Sequence, residues 1–283
     1  MNIIKKLTMV VLASFAFIGM TTQAATDPKI SVQLWSVKDD LKEDFEGTLK
    51  KLAGLGFQGV EFAGNYGKFE NDPEGLKKFL AELGLQASGA HVGFDKFNEE
   101  NFDHTVDFFS KLGAKFLIVP YDKRSYDPEA VDAMNAELAV IAKKLEKHGL
   151  QTGYHNHAPE FADFKDSTFW DYIATNTPKN VVLQLDVGWA AVAGKDGAEY
   201  IRKYPNRTKT THFKAGLPEG TKDKVSIIGQ DIVDWKSVIK AAREVGGTEW
   251  FVVEQEVYPN NLTPLQAVEA SMKGLQKILA EMK

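Results

Sequence analysis

Six histidines occur in the 283 residues, and four of them, His91, His155, His157 and His212, stand at or just beyond the ends of short apolar runs. Glu61, Asp186 and Glu254 occupy the same kind of position, as do Trp35 and Tyr121. Imidazoles and carboxylates brought together in a protein interior are costly unless they are paired or coordinated. A divalent cation removes that cost. Nitrogen and oxygen donors without thiolate suit Mn2+, Co2+, Mg2+, Fe2+ or Zn2+. The chain has no cysteine, which excludes cysteine-ligated zinc, iron–sulfur clusters, thiol catalysis and disulfides. Taken singly, each residue has a plainer role. A strand-end histidine is more often a hydrogen-bonded structural residue, Asp186 before Val187-Gly188 suits a turn, and Glu61 suits a solvated rim. His104 and His148 lie in amphipathic stretches and read as solvated.

The elements that would position these groups alternate along the chain. Strands are expected at Ile30–Trp35, Gly59–Phe62, Gln86–His91, Phe116–Pro120, Gln151–His155, Val181–Asp186, Lys209–Phe213 and Trp250–Glu254, each short, β-branched or aromatic, and bounded by Gly, Pro or polar residues. Helical spacing joins Phe45, Leu49, Leu52 and Leu55, then Leu76, Phe79, Leu80 and Leu83. The longest expected helix runs from Ala130 to His148, with Met134, Leu138, Ile141 and Leu145 as its stripe. Gly56, Gly84 and Gly149 follow these helices and supply left-handed terminating residues. Eight strands alternating with helices imply a parallel sheet, and the length approaches the ~250 residues of a closed (β/α)8 TIM barrel. A doubly wound open sheet is the alternative, but no G-x-G-x-x-G follows the first strand. The loop Gly216–Asp234 is the longest irregular stretch and is placed to cover a pocket. In such barrels the active site sits where strands end, so the polar strand ends would converge there.

Composition narrows the partners. Hydrophobic residues make up 43% and charged residues 26%, with a formal charge of −5, so no nucleic acid is expected as partner. Residues 1–24 carry Lys5 and Lys6, an apolar run from Leu7 to Gly19 and a small-x-small ending at Thr22-Gln23-Ala24. This is the layout of a Sec-type secretory signal peptide, and the run falls short of the ~20 residues that span a bilayer. The expected product is a single domain, residues 25–283, exported to the periplasm or medium without stable membrane insertion. Its oligomeric state is left open.

The chain resembles the sugar phosphate isomerase/epimerase family, the xylose isomerase-like TIM barrels. The resemblance rests on SVQLWSVKDDL, GFQGVEFAG, ASGAHVGF, TGYHNHAPEF, LQLDVGWAAVAGKD, THFKAG and FVVEQE, which occur in barrel order. It implies one divalent metal held by a Glu, an Asp, a His and a second Glu from strands five to eight. By motif the last three are Asp186, His212 and Glu254. The first departs from the pattern: many relatives have Glu-Asn-His, where this chain has His155-Asn156-His157. His155 therefore falls at the glutamate position, and strand parity sets His157 on the same face. Glu160 is near enough to replace the lost carboxylate as ligand or base, so Glu254, Glu160 and His157 are the catalytic candidates.

The implied chemistry is metal-polarised loss of a proton beside the carbonyl of a sugar or keto-sugar, giving an enediolate. Proton return gives epimerisation or isomerisation. Loss of a β-substituent gives elimination, such as cleavage of a 3-keto-glycoside. Trp35 and Trp189 are expected to line the carbohydrate pocket, with Phe62 and Phe94 as weaker candidates. Glu61, His91 and Lys214 are expected to contact hydroxyls or the carbonyl. Three other classes compete with this chemistry. A metal-dependent nuclease needs a basic face. A non-catalytic sugar-binding barrel becomes conceivable once the glutamate is gone. A retaining glycosidase needs two carboxylates ~5–5.5 Å apart, for which Glu160 and Glu254 would have to serve.

Overall fold

The computed structural model describes residues 27–283; the expected signal segment, residues 1–24, lies outside the described residues. The barrel strands are β1 Lys29–Gln33, β2 Gly59–Phe62, β3 Gln86–His91, β4 Phe116–Val119, β5 Gln151–His155, β6 Val182–Gln184, β7 Thr210–Lys214 and β8 Trp250–Glu254. All pair in parallel, in the order β6-β5-β4-β3-β2-β1-β8-β7. The remaining seam is bridged between Asp186 and His212, where His212 N donates to Leu185 O at 2.9 Å. The result is a nearly closed (β/α)8 barrel, as the alternation of elements led one to expect.

The principal helices are α1 Phe45–Gly54, α2 Pro73–Glu82, α3 Phe102–Leu112, α4 Val131–Glu146, α5 Phe169–Asn176, α6 Gly197–Lys203, α7 Trp235–Ala241 and α8 Pro264–Glu281. Local chemistry starts and stops them. Asp44 and Asp72 each accept a backbone N–H in the first turns of α1 and α2, with Pro73 opening the latter, an arrangement that satisfies an otherwise unpaired donor. The α4 helix is shorter than the sequence suggested, and α8 is longer at 18 residues. The apolar stripe of α8 is broken by Ala267 and Ser271, so its period is faint, although Thr263 and Gln266 form a capping box. Among the described residues no helix is long and apolar enough to cross a membrane.

Strand alternation divides the interior in two. Outward residues such as Val60, Leu117, Val119, Leu183, Phe213, Phe251 and Val253 pack under the helices in the large core. Inward residues Phe116, Ile118, Val182, Trp250 and Val252 form a separate apolar plug. Each such side chain contributes ~1.5–3 kcal/mol by leaving water. The plug occupies the N-terminal half of the barrel. Toward the C-terminal ends of the strands the inward positions turn polar: Gln33, Glu61, His155, Gln184, Asp186, His212 and Glu254 are all buried. Gly153 is required on β5, because a Cβ there would stand 2.1 Å from Val182 O.

The loop expected to cover the pocket does otherwise. Gly216 N donates to Asp231 Oδ2 at 3.0 Å, Ile227 and Ile228 are buried, and Ile228 N donates to Ser271 Oγ of α8 at 3.3 Å. It is packed down on α8 and does not line the mouth cavity.

Candidate metal centre

Four donor-bearing side chains meet at the mouth: His155 from the end of β5, Asp186 just beyond β6, His212 in β7 and Glu254 ending β8. One ligand atom from each lies within 4.8 Å of all the others. His212 Nδ1 is 3.2 Å from Glu254 Oε2 and 3.9 Å from Asp186 Oδ2, and His155 Nε2 is 3.9 Å from the same Asp186 oxygen. Metal bonds of ~2.0–2.2 Å put donors on one ion no more than ~4.4 Å apart, so these spacings suit a shared cation. Asp186 Oδ2 and His155 Nδ1 are buried with no hydrogen-bond partner in the protein. Such orphaned atoms are expensive, and a cation bound by this set relieves the cost at Asp186. The residues therefore fit a divalent ion.

Each donor is aimed by a second residue. Asp186 caps the short helix Val187–Val192, its Oδ1 accepting from Trp189 N at 2.8 Å, which leaves Oδ2 for the centre. Asn156 grips the Asp186 backbone from both sides: its Oδ1 accepts from Asp186 N at 2.9 Å, and its Nδ2 donates to Asp186 O at 3.2 Å. Gly188 is required here, since a Cβ would come 2.5 Å from Lys214 O. His212 Nε2 lies 2.6 Å from Glu61 Oε2, so its other nitrogen faces the donor group. This is the carboxylate–imidazole pairing that orients metal-ligating histidines.

Glu61 was expected at a solvated rim or against substrate. It is instead fully buried below the centre, accepting from Gln33 Nε2 at 2.8 Å and Gln184 Nε2 at 2.7 Å besides His212. Glu160 was considered as ligand or base. Its Oε1 takes bonds from Ser125 Oγ at 2.7 Å and Tyr154 OH at 3.1 Å, and its Oε2 from His157 N at 2.9 Å. Both oxygens are engaged away from the donor group, and the residue positions the His157 backbone. Phe62 belongs to the core under the helices, and Phe94 packs beside Arg124.

The electrostatics follow from burial and neighbours. Burial disfavours the His212 imidazolium, but Glu61 and then Glu254 outweigh it and raise the group to about 10. Burial raises Asp186 to about 7, with Lys214 pulling the other way. Burial opposes the Glu254 charge too, yet Lys214 and His212 hold that carboxyl well below its usual range. Burial and then the neighbouring His212 and His91 keep His155 neutral, and burial followed by Lys214 lowers His157 to about 4. Lys214 is itself buried, pairs with Glu256, and stands 4.2 Å from the centre of the Trp189 ring.

A cavity of about 760 Å3 opens above the centre, and His91, His155, His157, Trp35, Trp189 and Glu254 all line it. Trp35 is 44% exposed, and His91 Nε2 is 2.8 Å from Gln184 Oε1. His104, expected to be merely solvated, also lines the cavity from α3. Gln33, Gln184, Asn156 and Glu256 escaped sequence reasoning. Parity was the available signal for the glutamines, each two residues before an expected site residue, Trp35 and Asp186.

Comparison with known proteins accords with this arrangement. The family described as "Xylose isomerase-like TIM barrel" matches residues 49–278. An inosose dehydratase of Lacticaseibacillus casei (strain BL23) is 26% identical over 297 residues, covering 87% of this chain and 96% of its own. A sugar phosphate isomerase/epimerase from Parabacteroides distasonis ATCC 8503 superimposes with a TM-score of 0.74 at 23% identity, over 90% of this chain and 96% of that one. The IOLI protein, whose crystal structure holds a zinc atom, has a TM-score of 0.65 at 15% identity, over 89% and 98%. These two structures share the fold.

Proposed function

This chain belongs to the xylose isomerase-like TIM barrel family, and from that premise we propose that it is a divalent-metal-dependent enzyme acting on a keto-sugar or cyclic keto-polyol. It removes the proton beside the carbonyl and expels a β-substituent. The observation that carries the reading is the convergence of His155, Asp186, His212 and Glu254, with an orphaned Asp186 oxygen, at the floor of the mouth cavity. When bound there, a divalent ion supplies Lewis-acid polarisation of a carbonyl. Mn2+, Co2+, Mg2+, Fe2+ and Zn2+ all suit these donors.

The chain's own groups do the rest. His157 is neutral, faces the cavity, and has an unpartnered Nδ1, so it is placed to take the proton. Glu160 holds the His157 backbone. Trp35 and Trp189 offer apolar faces to the C–H surface of a ring. His91 lines the cavity and reaches its oxygens, whereas Lys214 is buried against Glu256 and Trp189 and supports the wall. Elimination is supported by the curated relatives that are named dehydratases. It is also supported by the charge pattern. Proton return to the opposite face needs a base on each side of the carbon, and with His155 on β5 the carboxylates around the centre are engaged, Asp186 and Glu254 in the donor group and Glu256 with Lys214. Epimerisation or isomerisation is the second reading, favoured by Glu254 lining the same cavity as His157.

Metal analysis combined with NMR in D2O over a panel of ketoses and keto-glycosides tests this. Expected are bound divalent metal, deuterium at one carbon, and an unsaturated ketone. Deuterium incorporation without loss of a substituent supports the second reading, and binding without exchange leaves a sugar-binding barrel. His155→Glu should retain metal, whereas Glu160→Gln should retain it with slower turnover. We also infer from the leader that the protein is exported after cleavage near Ala24. N-terminal sequencing from the native cell decides, and an intact Met1 on soluble protein would remove the inference.

A further inference from the structure

The mouth cavity is larger than the reaction proposed for its floor requires. Its 760 Å3 lies well within the ~300–1,000 Å3 that encloses drug-sized ligands, whereas a lone sugar ring has only about a dozen heavy atoms. Its lining falls into two halves. The donor half comes from β5 to β8. The far half comes from the segment after β2, which carries Tyr66, and from α3, which carries His104, Phe108 and Phe109. Helix α3 belongs to the outer layer, so the cavity runs past the barrel rim. A ring seated over the donor group does not fill that extension.

The chemistry of the two halves also differs. The donor half is mainly imidazole and carboxylate beside Trp189, while the far half, with His104 and Glu70 in it, groups three aromatic rings. In the far half the Tyr66 ring centre stands 4.8 Å from that of Phe108 and 6.2 Å from that of Phe109, and the two phenylalanines are 5.3 Å apart. These three rings form a contiguous cluster at the cavity wall, Tyr66 half-buried and Phe108 and Phe109 reaching the wall from the core, with Lys96 and Asn101 beside it. Rings at ~4.5–7 Å are packed against one another, so a further ring is received on the cavity side of this cluster and not between its members. Release of water, which the relatives' name implies, needs no such surface.

We propose that the substrate is a glycoside whose leaving group is an apolar planar ring, and that Tyr66, His104, Phe108 and Phe109 hold that ring. The proposal rests on the eliminative reading above. For the glycosidic oxygen to leave, its carbon must be β to the carbonyl, so the ketone stands two carbons from the anomeric carbon. The C–H bond between them breaks and its electron pair becomes the C=C bond. The bond from the anomeric carbon to the glycosidic oxygen breaks. The proton passes to the protein base, and the ring departs as a phenolate that takes a proton from water. The products are an unsaturated keto-sugar and a phenol, with no oxidant consumed.

Binding separates this proposal from the reaction. Titration calorimetry with phenyl β-glucoside, methyl β-glucoside and cellobiose uses unoxidised ligands that cannot eliminate. The phenyl glycoside should bind about tenfold tighter than the methyl, the effect of enclosing part of one aromatic ring. His104→Ala, at an exposed position, and Tyr66→Ala should each erase most of that difference and leave methyl glycoside binding unchanged, which also reports that the variants are folded. Equal affinities for phenyl and methyl glycosides, no measurable phenyl glycoside binding, or tighter binding of cellobiose than of the phenyl glycoside overturns the proposal. If the phenyl preference holds but no oxidised glycoside exchanges its proton, the ring site stands and the eliminative reading fails.

Discussion

The barrel has a cavity at each end, of about 760 Å3 at the mouth and about 680 Å3 at the base. Both are walled by charged and aromatic residues. At the base Lys29 donates to Gln86 at 2.9 Å, Lys115 pairs with Glu249 at 2.8 Å, and the inward hydroxyls of Ser31 and Ser88 bond one another at 2.6 Å. Among the described residues, none lining the base has a buried side-chain polar atom without a partner, whereas His155, His157 and Trp189 at the mouth do, as does Asp186 beneath them. The two ends are alike in volume, and each is lined by charged groups of both signs. What distinguishes the mouth is polarity that the fold leaves unsatisfied, and that is what marks a place for a ligand.

Four perturbations break or sharpen this contrast. The largest effect is expected of Asp186→Asn, which keeps an oxygen for the helix cap but loses the charge on Oδ2. Metal retained after dialysis, read by elemental analysis, should fall by more than about 100-fold in affinity, beyond what orienting residues cost. Full occupancy would show that the centre is misplaced.

Asn156→Ala comes next. It leaves the Asp186 N–H buried and unpaired, while the C=O keeps its bond from Ala190 N. The unpaired donor costs about 2 kcal/mol in a denaturant melt, with metal affinity down about tenfold. A stability loss with unaltered metal binding would separate the scaffold from the centre.

The third perturbation is pH. His212 is held protonated to about 10 in the folded chain by Glu61 and Glu254, against its burial, and near ~6.5 when unfolded. A raised folded value gives stability present below pH 6.5 that is lost as pH rises toward 10. Chelated protein should therefore weaken in urea between pH 7 and 10, and saturating metal, which displaces that proton, should flatten the slope. The same slope with and without metal would place His212 outside the centre.

Glu249→Gln at the base should do least. The pair with Lys115 is about half exposed, so the change costs less than ~1 kcal/mol, with metal content and activity unaltered. An effect on activity would mean that the two ends are coupled.

The sequence alone determined the barrel and the identity of the strand-end groups. Period-two alternation, glycines after helices and polar residues ending apolar strands are local signals, and each strand's register follows from which residues must be buried. Asp186, His212, Glu254 and His155 were legible for that reason. Where an inward side chain ends up depends on the neighbouring strands, and only the tertiary structure decided it. Glu61 looked like a rim charge because nothing in GVEF says that Gln33, Gln184 and His212 will surround it from three other strands. Glu160 looked like a spare base, yet its partners Ser125 and Tyr154 come from the segments on either side of α4. The Gly216–Asp234 loop looked like a lid, but Asp231 ties it to its own start and Ser271 holds Ile228 against α8. Hydrogen bonds between strands far apart in sequence carry no local periodicity. They exist only once closure of the barrel has brought their donors and acceptors within about 3 Å of each other.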